Sequence, residues 1–179
     1  MRRLAVVLTI AAVTVACGSG STSLPRPSAA RALSLSSPAF SSGGSIPARY
    51  TCDGGGLSPP LSWSHVGHAG SLALIVTDPD APGGTFVHWV AFGIDPSVTE
   101  VHEGETPPGT RQGRNDFGKT GYGPPCPPAG DPAHRYVFHL FALEPGTRLP
   151  GPGASAADVT GAIDDHAVAE GTLTATYAR

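Results

Sequence analysis

With 179 residues, 40% of them hydrophobic and 14% charged, and a formal net charge of −3 at pH 7, the chain is neither a disordered segment nor a basic nucleic-acid binder. Its 24 Gly and 19 Pro follow no fixed period, which excludes collagen-like and solenoid repeats. So much turn punctuation between short apolar runs favours one mainly β domain.

Met1-Arg2-Arg3 opens the chain, and the apolar run Leu4–Ala16 follows. That run suits the core of an export signal but falls short of the ~20 residues that span a bilayer. It ends at Ala16-Cys17, followed by Gly18-Ser19-Gly20-Ser21. A small residue before Cys at this place resembles the bacterial lipobox, in which the Cys is lipidated, although Thr14 stands where a lipobox usually carries Leu. An ordinary cleaved signal with an incidental Cys17 is the alternative.

The expected organisation is a signal peptide at 1–16, a lipidated Cys and flexible tether at 17–32, and a folded domain at 33–179. Export then anchors the domain to the outer face of the cell membrane; secretion or a periplasmic location is the alternative. Removing residues 1–16 leaves 9 basic against 14 acidic residues, a net −5, which argues against nucleic acid as a partner. Cys52 and Cys126 remain as an even pair in a compartment that permits disulfides. Whether they are bridged or free depends on an inter-Cβ distance that sequence does not supply.

Strand candidates in the folded part begin with the short runs Ala32–Leu35, Tyr50–Thr51 and Leu61–Trp63. Leu72–Thr77, Val87–Ile94 and His134–Leu143 are rich in branched and aromatic residues and read as central strands. Glu100–Asp131 has little periodicity, and a loop of that length is usually functional. One helix is expected after Ser155 as its cap, with Asp158 three residues on and Val159, Ala162, Ile163 and His166 along one face. Gly171 reads as its stop, and Leu173–Tyr177 alternates as a last strand.

Strand phase then groups the chemistry. Asp78 ends the face that carries Leu72, Leu74 and Val76. Parity places His88 with Val90, Phe92 and Ile94, and His134 with Tyr136, Phe138, Leu140 and Ala142. If the first two strands pair antiparallel, the segment 79–87 returns His88 to the edge of Asp78. A carboxylate and imidazoles beside Gly-rich backbone could hold a phosphate or carboxylate. The rim would be Gly121–Pro128, with Tyr122 offering a wall and a hydroxyl.

Two other readings stand beside this one: a hydrogen-bonded core corner with no ligand, and an iron or zinc site. The spacing fits no compact metal motif, so neither metal nor cofactor is expected. Nor is there a G-x-S-x-G elbow, H-E-x-x-H, Walker A or strand-to-helix G-x-G-x-x-G, and the protein is expected not to be an enzyme. The His65/His68 pair reads as surface, and Trp63 and Trp89 as core.

Asp78-Pro79-Asp80-Ala81-Pro82, His88-Trp89, the Gly121–Pro128 segment and His134-Arg135-Tyr136 follow in an order that resembles the phosphatidylethanolamine-binding protein family. Tyr50-Thr51-Cys52-Asp53-Gly54 and Ser58–Trp63 are similar to its bacterial, Raf-kinase-inhibitor-like branch. The resemblance implies a Greek-key antiparallel β-sandwich, with a large central sheet, a smaller sheet and one or two peripheral helices. It also implies an anion pocket of Asp78, His88, Tyr122, Pro127, Pro128, His134 and Tyr136, with Asp80 and Arg135 supporting the loop. Phe86 falls where animal members carry Trp, and Pro124 where many members carry Gly.

The function implied is non-enzymatic binding of phosphate, phosphoethanolamine-like molecules or lipid head groups at the cell envelope. A protein-interaction or inhibitor module acting on a kinase or protease is the alternative, and a hydrolase with His88 or His134 as base is a third. The sequence is also compatible with a homodimer.

Overall fold

The computed structural model describes residues 31–164 and 166–179. The expected signal peptide, Cys17 and most of the expected tether lie outside the described residues. The chain forms β1 (Arg31–Ala32), β2 (Leu35–Ser36), a 3-10 turn (Ala48–Tyr50), β3 (Leu61–Trp63), β4 (Ser71–Asp78) and β5 (Phe86–Ile94). After these come β6 (Glu100–Val101), β7 (Arg111–Gln112), β8 (His134–Leu143), α1 (Ala156–Ile163) and β9 (Ala167–Tyr177). The larger sheet has the order β1-β9-β8-β4-β5-β7 and the smaller one β2-β3-β6. Among the described residues no helix is long and apolar enough to cross a membrane.

The three central runs become β4, β5 and β8, and β4 lies between the other two, antiparallel to both. Its apolar residues are buried on both faces. Leu72, Leu74 and Val76 join Trp89, Tyr136, Phe138 and Leu140 under the small sheet's Leu35, Leu61, Trp63 and Val101. Ala73 and Ile75 join Val90, Phe92 and Phe141 under Val159 and Ile163 of α1. Fully buried rings such as Phe92, Phe138 and Phe141 each contribute about 2–3 kcal/mol by leaving water. α1 begins with the expected capping box, in which Ser155 Oγ accepts from Asp158 N–H and the Asp158 carboxylate accepts from Ser155 N–H.

Several expectations need correction. Arg31 and Ala32, on the tether side of the boundary expected at 33, pair with Ala169 and Glu170. This pairing is parallel, so the large sheet is not purely antiparallel. A strand joined to its neighbour by most of the chain is under no hairpin constraint on direction. Tyr50–Thr51 is not a strand: Tyr50 ends the 3-10 turn, its N–H donating to Pro47 O, and its β-prone ring is simply buried. The helix ends at Ile163, so His166 is not on it.

Gly171 is not a helix stop but sits inside β9, opposite Leu140. A Cβ there would lie 2.6 Å from Leu33 O, so glycine is required where the entering chain crosses the sheet.

β5 departs from simple alternation twice. Val76 pairs with Trp89 but Thr77 with Val87, which leaves His88 as an extra residue. Leu72 pairs with Ile94 but Ala73 with Phe92, which leaves Gly93, at φ 69°, as another. Each bulge reverses the phase. Val90 and Phe92 therefore face α1, while Trp89, Ala91 and Ile94 face the small sheet. The expected face shared by His88, Val90, Phe92 and Ile94 does not exist.

Gly171→Ala should cost about 1–3 kcal/mol, read as a lower denaturant midpoint at unchanged slope. An unchanged midpoint would mean that Leu33 does not lie against β9 in solution.

Candidate anion-binding site

Asp78 ends β4 with 3% of its surface exposed, and a carboxylate so deeply buried requires partners. Its Oδ1 accepts from Asp80 N–H at 2.8 Å, closing an Asx turn around Pro79. Its Oδ2 accepts from His134 Nδ1–H at 2.7 Å. Next to this pair, Asp80 holds Arg135 by two guanidinium bonds, at 2.8 and 2.6 Å, and by the Arg135 N–H at 2.9 Å. Two acids at the end of β4 thus grip two consecutive residues at the start of β8.

The expected pairing of Asp78 with His88 is not what forms. His88 is buried nearby, but its Nδ1–H donates to Gly123 O at 2.8 Å, and its own carbonyl accepts from Gly123 N–H at 2.8 Å. The bulge turns His88 toward the small-sheet side, where its ring meets the Tyr136 ring edge-on at 5.2 Å. Burial pushes the His88 imidazole below its ordinary pKa, against the opposing pull of the Gly123 carbonyl and the Asp78 charge. Both His88 and His134 therefore have Nδ1 committed to the protein. Neither Nε2 has a hydrogen-bond partner among the described residues.

Tyr136 is 1% exposed, and its hydroxyl lies close enough to the Asp78 carboxylate to be influenced by it but closes no hydrogen bond of ordinary length among the described residues. Burial, and then the neighbouring Asp78 charge, raise its pKa far above neutrality, so the phenol keeps its proton. Tyr122 behaves differently. Its hydroxyl donates to Tyr50 O at 3.0 Å, and its ring packs edge-on against Trp89 at 5.6 Å. The hydroxyl expected to face a ligand is spent on the rim, and only the ring remains as a wall.

Farther along the rim, Pro127 is buried and Pro128 exposed. Between them and Tyr122, Cys126 is disulfide-bonded to Cys52, with the Cα atoms 5.4 Å apart. Closing a separation of 74 residues contributes about 4 kcal/mol in the chain-entropy model.

Sequence reasoning missed Asn115, Asp116, Phe117 and the structural role of Gly123. Asn115 is buried, accepts from the N–H groups of Phe117 and Lys119, and donates to Gly121 O. Phe117 stands edge-on to His88 at 5.4 Å and to Phe86 at 4.8 Å. A Cβ on Gly123 would lie 2.4 Å from the Phe117 ring, so this glycine makes room for Phe117 and not for a ligand. Asn-Asp is a turn signal, but nothing in it names the strand that it grips. The expected roles of Trp63 and Trp89 as core and of His65 and His68 as surface match the structure.

Residues 36–178 match the sequence model described as phosphatidylethanolamine-binding protein. The chain belongs to this family. The UPF0098 protein of Methanothermobacter thermautotrophicus is 48% identical over 153 residues, covering 82% of this chain and 99% of that one. A Mycobacterium tuberculosis relative named "Putative lipoprotein LppC" is 42% identical over 149 residues, covering 83% of this chain and 74% of its own.

Among solved structures, the family homolog CT736 of Chlamydia trachomatis aligns with a TM-score of 0.77 at 40% identity, covering 84% of this chain and 99% of that one. Escherichia coli YbcL, described as a new member of the mammalian family, aligns at 0.76 and 33%, covering 82% and 98%. Membership supports a binding role and accounts for the two-sheet fold, with one short α-helix among the described residues.

The latch beside the site is sensitive to acid. The Arg135 guanidinium lowers the Asp80 pKa to about 2. A carboxyl depressed on folding contributes stability that is present above its unfolded value of about 4 and is lost as pH falls through the folded one. Unfolding free energy should drop by roughly 1 kcal/mol between pH 4 and 2, the pair being partly exposed. Asp80→Asn should flatten that segment of the profile, and an identical slope in both proteins would rule the latch out.

Proposed function

We propose that this protein binds phosphate-bearing small ligands or phospholipid head groups at the pocket of Asp78, His88, His134 and Tyr136, and does so without catalysis. The observation that carries this reading is the buried, protonated Tyr136 hydroxyl, which closes no hydrogen bond of ordinary length among the described residues, beside two imidazoles whose Nδ1 atoms are already fixed. An orphaned buried donor costs about 1–3 kcal/mol, and an anion accepting from it removes that cost. The aromatic wall of Tyr122, Phe86 and Phe117 suits the organic part of such a ligand. Among the described residues no Ser, Thr or Cys side chain hydrogen-bonds to His88 or His134, which favours binding over turnover.

The protein is further proposed to work outside the cell, tethered through a lipid on Cys17. The lipobox-like Ala16-Cys17 and the name of the mycobacterial relative support that placement. Cys17→Ser should move the protein from the detergent phase to the aqueous phase in cloud-point partitioning. Equal partitioning of both forms would remove the anchor.

Calorimetric titration with inorganic phosphate, phosphoethanolamine and glycerophosphoethanolamine tests the pocket. Tyr136→Phe should weaken binding about 10-fold, the equivalent of one hydrogen bond, and His134→Ala by at least as much. An anion favours the imidazolium form, while burial holds His88 neutral, so binding takes up a proton. Affinity for the phosphodiester, whose own charge is constant here, should rise as pH falls from 8 to 6. Null heats for every anion in wild type and variants alike would sink the reading.

A further inference from the structure

Around the His88 bulge, one short turn takes up backbone groups on the side of β5 away from β4. Residues 113–123 run along the open side of β5 beyond β7. Gly113 N–H donates to Val90 O at 2.8 Å, Asp116 N–H to Val87 O at 2.9 Å, and Gly123 N–H to His88 O at 2.8 Å. Val87 N–H on the same edge is bonded to a side chain of the turn and not to one of its backbone carbonyls. That side chain is the Asp116 carboxylate, with Oδ2 accepting from Val87 N–H at 2.7 Å. Asp116 therefore closes both backbone groups of the residue immediately before the bulge.

Asp116 is itself held. Asn115 ties the turn internally through its bonds to Phe117, Lys119 and Gly121. The next residue, Phe117, lays its ring edge against His88. A slip at Val87 would return β5 to plain alternation. In that register His88 would follow the phase of Val90 and Phe92 onto the face covered by α1, away from Asp78, His134 and Tyr136.

We infer that Asp116 is the positioning residue of the pocket: its carboxylate clamps Val87, holds the bulge in register, and so keeps the His88 imidazole beside Asp78 and Tyr136. The ionised groups around His88 are Asp78 on β4 and Asp116 on the turn; His134 and Tyr136 face it from β8. Asp116 thus combines a geometric role with an electrostatic one, since its charge favours the imidazolium while burial opposes it. No contact of Asp116 with a ligand is required. The affinity arm of the test rests on the function proposed above, whereas the titration arm does not.

The test uses Asp116→Asn and Asp116→Ala, with the His88 ring protons followed by NMR from pH 8 to 4.5 in the ligand-free protein. The amide of Asp116→Asn still accepts from Val87 N–H, so ring shifts at pH 8 should match wild type while the His88 midpoint falls. Asp116→Ala loses the acceptor as well. Its His88 resonances should move or broaden even at pH 8, and phosphoethanolamine should bind about 10-fold more weakly.

A purely structural role for Asp116 predicts the wild-type midpoint in Asp116→Asn, and that result overturns the electrostatic half. Unmoved His88 resonances in Asp116→Ala overturn the clamp. If Asp116→Ala does not fold, the Val87 amide of the wild-type protein decides the geometric half: marked exchange protection supports the clamp, and exchange at the rate of an open amide overturns it. Wild-type protein that binds no phosphate ligand defeats the proposed function, and the His88 titration still decides this inference.

Discussion

Asp78 is a buried carboxylate at the end of a strand, and much of the architecture around it meets that one demand. Left without donors, such a group costs several kcal/mol, enough to cancel a large share of a small domain's stability. The chain supplies two donors, the Asp80 N–H from the same loop and the His134 ring from the opposite strand. The first shapes the turn that leaves β4. The second joins the end of β4 to the start of β8, and Asp80 repeats the join one residue later through Arg135. A hydrophobic pair of the same size would pack as well but would leave no charge at the mouth of the sandwich.

The site is asymmetric in how it is held. On the β8 side, regular alternation carries His134 and Tyr136 onto the correct face with no special device. On the β5 side, alternation would carry His88 to the wrong face, and a bulge corrects it. A bulge leaves backbone groups unpaired, and the 113–123 turn acts as a surrogate strand that receives them. This turn needs glycine at 123, a buried Asn at 115 and aromatic cover from Phe117. The Cys52–Cys126 bridge then ties the far end of the rim to the segment after the 3-10 turn. The rim is an extension of the sheet more than a loop laid over it, which explains how a segment with so little periodicity is ordered.

Reading the sequence was most successful where one residue type has one physical use. Branched and aromatic runs located β4, β5 and β8 to within a residue or two, and the Ser155/Asp158 spacing located the start of α1. It failed where a residue serves two ends. Gly171 looked like a helix stop because glycine ends helices, yet it is small so that Leu33 can cross the sheet. His166 matched a helical period by coincidence, one turn past the true end. Tyr50 and Thr51 have strand propensities, but those propensities report burial more than backbone shape.

Which residues approach one end of the sheet was only partly set by the sequence: the short segment 79–87 returns His88 to the edge of Asp78, whereas His134 and Tyr136 were placed there by family resemblance until β8 was found antiparallel to β4. Which of them touch was decided only by tertiary structure. Asp78 chose His134 over His88, Tyr122 spent its hydroxyl on Tyr50, and Tyr136 closed no hydrogen bond of ordinary length among the described residues. The physical reason is that strand parity is a local rule, whereas a bulge is a negotiation between two strands and the turn beside them. A single extra residue in β5 reverses the face of everything beyond it, and no periodicity within β5 records where that residue is.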